Sequence, residues 1–370
     1  MRRMDDVQGL RMALVEAAVP LKHASGPPLT EDAAGGWAAW PMAPMGDRGL
    51  AHRHVRLLGT GLLARIPKQS QMRLAAADNL RYQAACFERA APSLQVPRLH
   101  ALLMPSAHLP HGALLVDEIV GRPARLPQDL PALMRCLAAL HALPVPPAAD
   151  RAPLLCAADP LRDLQREVES QWAQGADGAG LAATRAMHEG LNALAALCAG
   201  NARPPRTLIA FDGHPGNFVL REDGVAVLVD LEKCRYAYAG LDLAHATLYT
   251  STTWDAQVQA VLSADDLQRA YAAWEHTVGV ERAQDARAWH APLAQAMWLW
   301  SLSWCAQWLA LSRQPPKAGA DGEDWSSEHS DPALVAHVRE RVLHYLSPEG
   351  IAGAQRGLEA LSRWSEAAAA

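Results

Sequence analysis

The most informative part of this sequence is FDGHPGNFVLREDGVAVLVDLE, residues 211–232. Two strand-like runs, FVLR and VAVLVDL, are separated by the turn EDG at 222–224, and the Asp-Gly step favours a tight reversal. The hairpin that this predicts folds Asp230 back beside Asn217, and Asp212 lies on the loop just before it. A carboxylate and a carboxamide oxygen are thus expected at one end of the hairpin, with a second carboxylate next to them.

Three oxygen-bearing side chains in this arrangement indicate a particular kind of metal site. Hard oxygen ligands suit Mg²⁺ bridging phosphates, whereas thiolate or imidazole ligands would suit zinc. Asp and Asn also favour turns and caps for purely local reasons, so each residue alone has a second interpretation. The joint spacing of Asp212, Asn217 and Asp230 favours the magnesium site.

Strand signals are concentrated in the sequence before residue 121. HVRLL and LLARI flank Gly-Thr-Gly at 59–61 and predict a β-hairpin, whereas the Gly- and Pro-rich residues 25–49 predict an irregular segment. The run AADNLRYQAACFERAA predicts an amphipathic helix with Leu80, Gln83, Ala84 and Phe87 on one face. The run ALLVDEIV predicts a further strand.

Helical patterns dominate the rest of the chain. LPALMRCLAALHAL predicts a helix that ends before Pro144, and an Ala/Leu-rich stretch extends to Cys198. Residues 218–231 are the single predicted exception in the second half. A small β-rich part followed by a larger helical part is an α+β arrangement.

Composition excludes several classes of protein. The 370 residues are 50% hydrophobic and 20% charged, which is ordinary globular composition, and a net charge of −5 argues against a nucleic-acid binder held by a basic surface. The six cysteines are far apart and contain no CxxC pair, which argues against zinc and indicates a reducing cytoplasm. The N-terminus lacks the apolar core of a secretory signal.

One uncharged segment, 291–312, raises the alternative of a membrane span. It contains Pro292, Gln295, Ser301, Ser303 and Gln307, which favour a buried core helix instead.

The order of motifs resembles a known family. Asp212, Asn217 five residues later, a hairpin, and Asp230 within DxE resemble the aminoglycoside phosphotransferase and choline kinase family, which has a protein-kinase-like fold. The pair Leu-His at 140–141, the strand LLARIP, the loop MGDRGLAH and Asp242 in DLA are similar to further motifs of that family. The resemblance extends over much of the chain.

The resemblance implies a two-lobed α+β fold. Residues 46–120 would form the small β-rich lobe on the ATP side, and 121–370 the helical lobe, after a partly irregular N-terminal extension at 1–45. The catalytic loop would be 210–217 and the metal-binding hairpin 218–232.

The implied activity is phosphoryl transfer from ATP, with Mg²⁺, to a hydroxyl of a small molecule such as an amino alcohol, vitamin, sugar or aminoglycoside. Asp212 would take the proton of the acceptor hydroxyl, and Asn217 and Asp230 would hold Mg²⁺. No nucleic acid or membrane is expected as a partner, and the oligomeric state stays open. The rival interpretation is a non-catalytic nucleotide-binding scaffold on the same fold.

Further positions would contact the nucleotide. By resemblance they are Arg65, Gln83, Gly46, Gly49, Val116 and Glu118.

Three residues depart from the family pattern, and two of them, Ala210 and Gln83, motivate the scaffold alternative together with the thin glycine loop. Ala210 stands where the family usually has a His that braces the catalytic loop. The strand cation is Arg65 rather than Lys, with Lys68 as a rival that is expected to be solvated because it follows Pro67. The helix that normally offers Glu to this cation has Gln83, for which Arg65 or nearby backbone is the expected partner.

Aromatic residues are the main clue to the acceptor. Trp300, Trp304 and Trp308 recur at helical spacing, and in choline kinases a comparable helix holds a quaternary ammonium by cation–π attraction. Such a stripe also fits core packing, so both interpretations stay open. Glu232 and Tyr236 are further substrate candidates, and Asp242 is expected to brace the catalytic loop.

Overall fold

The chain is described by a computed structural model over residues 2–19, 36–46, 49–70, 72–315 and 330–367. It divides into two compact units. The first comprises Met1–Ala91, Pro97–Val120 and Pro315–Val335, and the second Pro92–Val96, Gly121–Gln314 and Ala336–Ala370. The first unit extends beyond residues 46–120 because it includes the N-terminal helix.

The first unit is built on an antiparallel five-stranded sheet. Its elements are α1 (Arg2–Glu16), α2 (Gly36–Ala39), β1 (Met42–Pro44), β2 (His52–Leu57), β3 (Leu62–Pro67), α3 (Ala76–Ala90), β4 (Leu99–Leu103) and β5 (Ala113–Asp117). The strand order is β1-β2-β3-β5-β4.

The predicted hairpin is confirmed as β2 and β3, in which Leu57 is paired with Leu62. Gly59 and Gly61 have φ of +76° and +71°, a conformation that glycine adopts without steric cost. The Thr60 hydroxyl donates to the Leu57 carbonyl at 2.6 Å and accepts from the Leu62 amide at 3.0 Å. The turn residues thus hold the two strand ends together.

Helix α1 packs on this sheet. Its Leu10 and Leu14 are fully buried in the same core as Val55 of β2. Asp6 forms an ion pair with Arg53 at 3.0 Å. Part of the N-terminal extension therefore completes the core of the first unit.

The prediction of an irregular segment at 25–49 is wrong for its central part. Residues 36–39 form α2, and β1 pairs with β2, with Pro44 opposite Val55. A three-residue edge strand rests on pairing with a neighbour, which a Gly- and Pro-rich pattern does not reveal. Residues 25–35 and 47–48 lie outside the described part.

The amphipathic helix is confirmed as α3. Leu80, Gln83, Ala84 and Phe87 are all buried, whereas Glu88 on another face is exposed.

The second unit is mainly helical. Its elements are β6 (Arg122–Pro123), α4 (Leu130–His141), α5 (Pro160–Gly175), α6 (Leu181–Ala199), β7 (Arg206–Ile209), β8 (Phe218–Leu220), β9 (Ala226–Leu228), β10 (Arg235–Tyr238), α7 (Ala239–Thr247), α8 (Tyr249–Thr252), α9 (Ala264–Val278), α10 (Val280–Arg287), α11 (His290–Leu311), most of α12 (Pro332–Leu346) and α13 (Pro348–Ala367). A three-stranded sheet has the order β6-β8-β9, and a two-stranded sheet pairs β10 with β7.

The hairpin predicted on either side of the turn at 222–224 is confirmed as β8 and β9. Phe218 pairs with Leu228, and Gly224 in the turn has φ of +79°. The Val229 amide donates to the Asn217 carbonyl at 2.9 Å, so the residue before Asp230 lies beside Asn217.

The prediction that 218–231 is the single β exception in the second half is wrong. β7 and β10 also pair, with Ile209 opposite Arg235. Each strand has four residues and is mostly buried, so neither shows the alternation of a half-buried strand. The Ala/Leu-rich stretch before Cys198 is likewise divided, into α5 and α6.

Helix α11 is the centre of the second unit. It packs closely against α5, since a Cβ on Gly175 would lie 2.2 Å from the Ala306 backbone. Its centre is buried by protein on all sides, as the sequence indicates for 291–312. Within the described ranges, none of the helices has the length and apolar character that crossing a bilayer requires.

Candidate active site

The predicted catalytic loop begins where β7 ends, and its second residue is strained. Phe211 has φ of +60°, a conformation that costs a non-glycine residue about 1–3 kcal/mol. Its amide donates to Asp242 Oδ1 at 2.7 Å, and its carbonyl faces His245 Nδ1 at 3.3 Å. Its ring lies 3.6 Å from the Arg235 guanidinium and packs edge-on against Trp300 at 5.2 Å. These contacts hold the strained residue directly before Asp212.

Asp242 braces the loop, as expected from the sequence. Its Oδ2 accepts from the Ala210 amide at 2.7 Å and is 3.1 Å from His141 Nε2. Trp274 Nε1 donates to His141 Nδ1 at 3.0 Å, which assigns the imidazole proton to Nε2 and makes it a donor to Asp242. The backbone at Ala210, where the family has a bracing His, is thus held by a buried carboxylate.

The side chain of Asp212 is paired with a lysine. Lys233 Nζ donates to Asp212 Oδ2 at 2.7 Å, and the two side chains are only 10% and 17% exposed. The other carboxylate oxygen, Oδ1, is 4.0 Å from His214 Nε2 and 3.9 Å from His245 Nε2. Both distances exceed a hydrogen bond, so the described ion pair engages Oδ2.

Burial and the neighbouring charges together set the ionisation states of Asp212, Lys233 and His245. Burial raises the pKa of Asp212, but the charge and hydrogen bond of Lys233, together with the nearby His214 and His245, outweigh burial and hold that pKa well below its usual range. Burial lowers the pKa of Lys233, but the carboxylates of Asp212, Glu232 and Asp230 together outweigh burial and raise it. Burial lowers the pKa of His245 to about 4, so this imidazole is neutral at pH 7. Asp212 is therefore a carboxylate and Lys233 an ammonium at neutral pH.

Asn217 is oriented by its own loop. Its Nδ2 donates to the Asp212 carbonyl at 2.8 Å, which turns the amide oxygen away from that carbonyl. Because the Val229 amide is bonded to the Asn217 backbone, Asp230 follows directly beside it. Oxygen donors of this type fit Mg²⁺. The residues present are therefore compatible with the cation that the sequence predicts.

The nucleotide candidates Arg65 and Gln83 lie in the first unit with a histidine between them. Both are buried; His52 Nε2 is 3.0 Å from Gln83 Oε1, and Arg65 Nη2 is 3.5 Å from His52 Nδ1. The expectation that Gln83 bonds Arg65 or nearby backbone is therefore wrong, because the imidazole of β2 occupies the space between them. The Arg65 guanidinium also lies 5.6 Å from the Phe87 ring centroid.

Lys68 is not a solvated loop residue. It is 6% exposed, and its Nζ donates to the Gly49 carbonyl at 3.2 Å and to Ser330 Oγ at 3.4 Å. Its amide bonds the Ala51 carbonyl at 2.7 Å, so the chain continues past Pro67 along the core instead of leaving it. The prediction of a solvated lysine is wrong for this reason.

The remaining nucleotide candidates are also in the first unit. Gly46 and Gly49 flank residues outside the described part, in the loop that joins β1 to β2. Val116 is buried in β5, and Glu118 just after it forms an ion pair with Arg56 at 2.7 Å. Their contact with a nucleotide stays a prediction.

The sequence profile of the phosphotransferase enzyme family matches residues 47–277, which is more than half of the chain. The chain belongs to this family. No curated protein sequence matches it.

Solved structures show the fold of this phosphotransferase. A choline/ethanolamine kinase family protein from Mesorhizobium loti is 17% identical and has a TM-score of 0.53, with 88% of this chain and 95% of that chain covered. An ethanolamine kinase from Plasmodium vivax is 10% identical, with a TM-score of 0.56 and coverage of 86% and 85%. A macrolide 2′-phosphotransferase from Brachybacterium faecium is 14% identical, with a TM-score of 0.51 and coverage of 83% and 92%. The protein-kinase-like α+β fold is confirmed.

The tryptophans proposed to hold substrate belong to two different clusters of the phosphotransferase. Trp300 is buried, donates from Nε1 to Glu167 Oε1 at 2.7 Å, and packs on Phe211. Trp304 is partly exposed and packs edge-on against Trp254 at 5.7 Å. Trp300 thus supports the residue directly before Asp212, and a substrate contact by Trp300 or Trp304 stays a prediction.

The other two substrate candidates are buried. Glu232 is 4% exposed and directly precedes Lys233. Tyr236 lies in β10, where its amide donates to the Leu155 carbonyl and its ring centroid is 6.0 Å from the Arg151 guanidinium.

Sequence reasoning missed Lys233, His245 and Arg235, which surround Asp212 and Phe211. Lysine is rare in this chain, at Lys22, Lys68, Lys233 and Lys317. The signal for Lys233 was its place three residues after Asp230, on the chain that returns from the hairpin. Its use required the pairing of β7 with β10, which the sequence did not predict.

Proposed function

We propose that this protein is an ATP- and Mg²⁺-dependent kinase that phosphorylates a hydroxyl of a small molecule. The observation that supports this most is the carboxylate of Asp212, ionised and held at the end of a strained loop. The same loop carries Asn217 and continues into the hairpin that ends at Asp230. If Asp212 and Asn217 served only a local turn, their loop would not need the buried carboxylate of Asp242 to hold its backbone.

In this proposal Asp212 Oδ1 accepts the hydrogen of the acceptor hydroxyl and orients its oxygen toward the γ-phosphorus of ATP. The acceptor oxygen forms the new P–O bond, the bond to ADP breaks, and the hydroxyl proton passes to Asp212 and then to solvent. A carboxylate with a low pKa fits a loose transition state, in which the proton leaves late and orientation matters more than basicity.

Asn217 and Asp230 would hold Mg²⁺, which supplies neutralisation of charge on the phosphate oxygens. Arg65 and Gln83, with Gly46, Gly49, Val116 and Glu118, are the proposed nucleotide contacts. The acceptor is proposed only as a hydroxylated small molecule, with amino alcohols, vitamins, sugars, macrolides and aminoglycosides as the classes to test. The six free cysteines agree with a reducing cytoplasm as the site of action.

The test is a screen for ATP consumption across these acceptor classes with and without Mg²⁺. The variant D212N should lose most of its acceptor-dependent turnover. D223N is a matched control because Asp223 is an exposed residue of the hairpin turn, paired with Arg221. Metal-indifferent nucleotide binding without turnover would instead support the scaffold alternative.

A further inference from the structure

Lys233 stands next to Asp212 because of how two short strands pair. β7 runs into the catalytic loop after Ile209, and β10 begins at Arg235, its direct partner. Antiparallel strands continue past the same edge of a sheet at such a pair. The segment that follows Ile209 and the segment that precedes Arg235 are therefore neighbours, and Asp212 and Lys233 on these segments are in contact.

The local backbone fixes the direction from which Lys233 approaches. The Cys234 amide donates to the Leu231 carbonyl at 3.1 Å, which closes a turn around Lys233. The Lys233 carbonyl accepts from Arg235 Nε at 3.3 Å. The ammonium also lies 5.8 Å from the Trp300 ring centroid, a cation–π distance. Lys233 is thus held at both its backbone and its ammonium.

The two oxygens of Asp212 consequently have different surroundings. Oδ2 receives the short bond from Lys233 Nζ, and Oδ1 faces the imidazoles of His214 and His245 beyond hydrogen-bond distance. A buried carboxylate without a cation would rotate toward any other donor within reach. The ion pair therefore selects one side-chain orientation of Asp212.

We propose that Lys233 is a positioning residue for phosphoryl transfer: by binding Asp212 Oδ2 it presents Oδ1 to the acceptor hydroxyl. This inference rests on the proposed function. Lys233 acts through Asp212 and makes no contact of its own with the transferred phosphate. Its removal should therefore reduce the chemical step and leave nucleotide affinity in place.

The experiment is a double-mutant cycle on acceptor phosphorylation with D212N, K233M and D212N/K233M. We expect K233M to lower kcat about 100-fold, the size of effect seen when a reacting group is misplaced, with the KM for ATP changed less than threefold. The double variant should be no slower than D212N, because both changes remove the same function. K233R should recover part of the loss, since the charge is kept.

The control variant is R221M, which removes a cation from the exposed hairpin turn and should leave kcat unchanged. Thermal melting and titration with Mg²⁺-ATP check that each variant is folded and binds nucleotide. If K233M does not fold, the comparison of D212N with D212N/K233M still decides. The double variant lacks both the lysine and the carboxylate, so it leaves neither charge buried without its partner.

Three results would overturn the inference. The first is a K233M variant whose kcat lies within threefold of the wild type. The second is a double variant in which the two losses multiply, which would indicate direct contact of Lys233 with phosphate. A wild type that transfers phosphate to no acceptor removes the proposed function and this inference together. A wild type that transfers, with K233M equally active, removes this inference alone.

Discussion

Asp242 Oδ1 accepts a 2.7 Å hydrogen bond from the amide of Phe211, a residue whose φ is +60°. The bond is fully buried, and the same carboxylate also holds the Ala210 amide. The hydrogen bonds to Asp242 therefore stabilise the strained backbone conformation of Phe211. The backbone conformation of Phe211 and its hydrogen bond to Asp242 together set the direction in which the chain enters Asp212, the next residue.

Replacement of Asp242 by alanine should destabilise the protein and slow transfer. The amides of Ala210 and Phe211 would be left buried without their acceptor, which costs about 1–3 kcal/mol per group. We expect the free energy of unfolding in urea to fall by about 3 kcal/mol, with a large loss of kcat. D265A is the control, since Asp265 is exposed. Equal unfolding curves for D242A and D265A would contradict the brace.

His245 should make stability depend on pH. Burial lowers its pKa from 6.5 to about 4. Between these values the unfolded chain binds a proton that the folded protein does not, so stability falls as the pH drops from 6.5 to 4. The fall attributable to His245 is about 3 kcal/mol. Urea unfolding at pH 7 and pH 4 measures it.

The variant H245Q should lack this part of the pH dependence, so its stability should approach that of the wild type as the pH falls. H188Q is the control, because His188 is exposed on α6. If wild type and H245Q lose the same stability between pH 7 and pH 4, His245 is not the group responsible.

The loop before Asn217 and the hairpin after it could be predicted because their signals are local. The Asp-Gly turn, the strand runs and the spacing from Asp212 to Asn217 all lie within 211–232. The amphipathic face of α3 was predictable for the same reason, and the buried Gln83 on it pointed to a polar partner.

The identity of partners could not be predicted where it depends on pairing between distant segments. His52 on β2 contacts Gln83 on α3, 31 residues further along the chain. Lys233 reaches Asp212 through the pairing of β7 with β10. Lys68 was misjudged because a proline ends a strand without deciding where the chain goes next. In each case the sequence showed a residue that could form a polar contact, but it did not show which residue would be its partner.

Substitutions of Arg65 and of Lys68 should differ in their effect on the KM for ATP. If Arg65 contacts phosphate, R65M should raise the KM for ATP at least about tenfold, the value of one charged hydrogen bond. Lys68 bonds the Gly49 carbonyl, so K68M should lower the melting temperature and change the KM for ATP by less than about threefold. Steady-state kinetics with varied ATP separates them. A larger KM effect in K68M would assign the phosphate contact to Lys68.

Asp230 should determine the metal requirement. Loss of a carboxylate ligand removes several kcal/mol of charge stabilisation, so D230N should lower kcat at least about 100-fold and shift the Mg²⁺ dependence to higher concentration. D223N, at the far end of the same hairpin, should behave as wild type. The melting temperature adds a measurement without turnover: Mg²⁺-ATP should stabilise the wild type and D223N more than ATP alone, and D230N should lose this difference. A D230N protein that keeps it and phosphorylates its acceptor normally would remove Asp230 from the metal site, and would leave Asn217 without the carboxylate that the hairpin brings beside it.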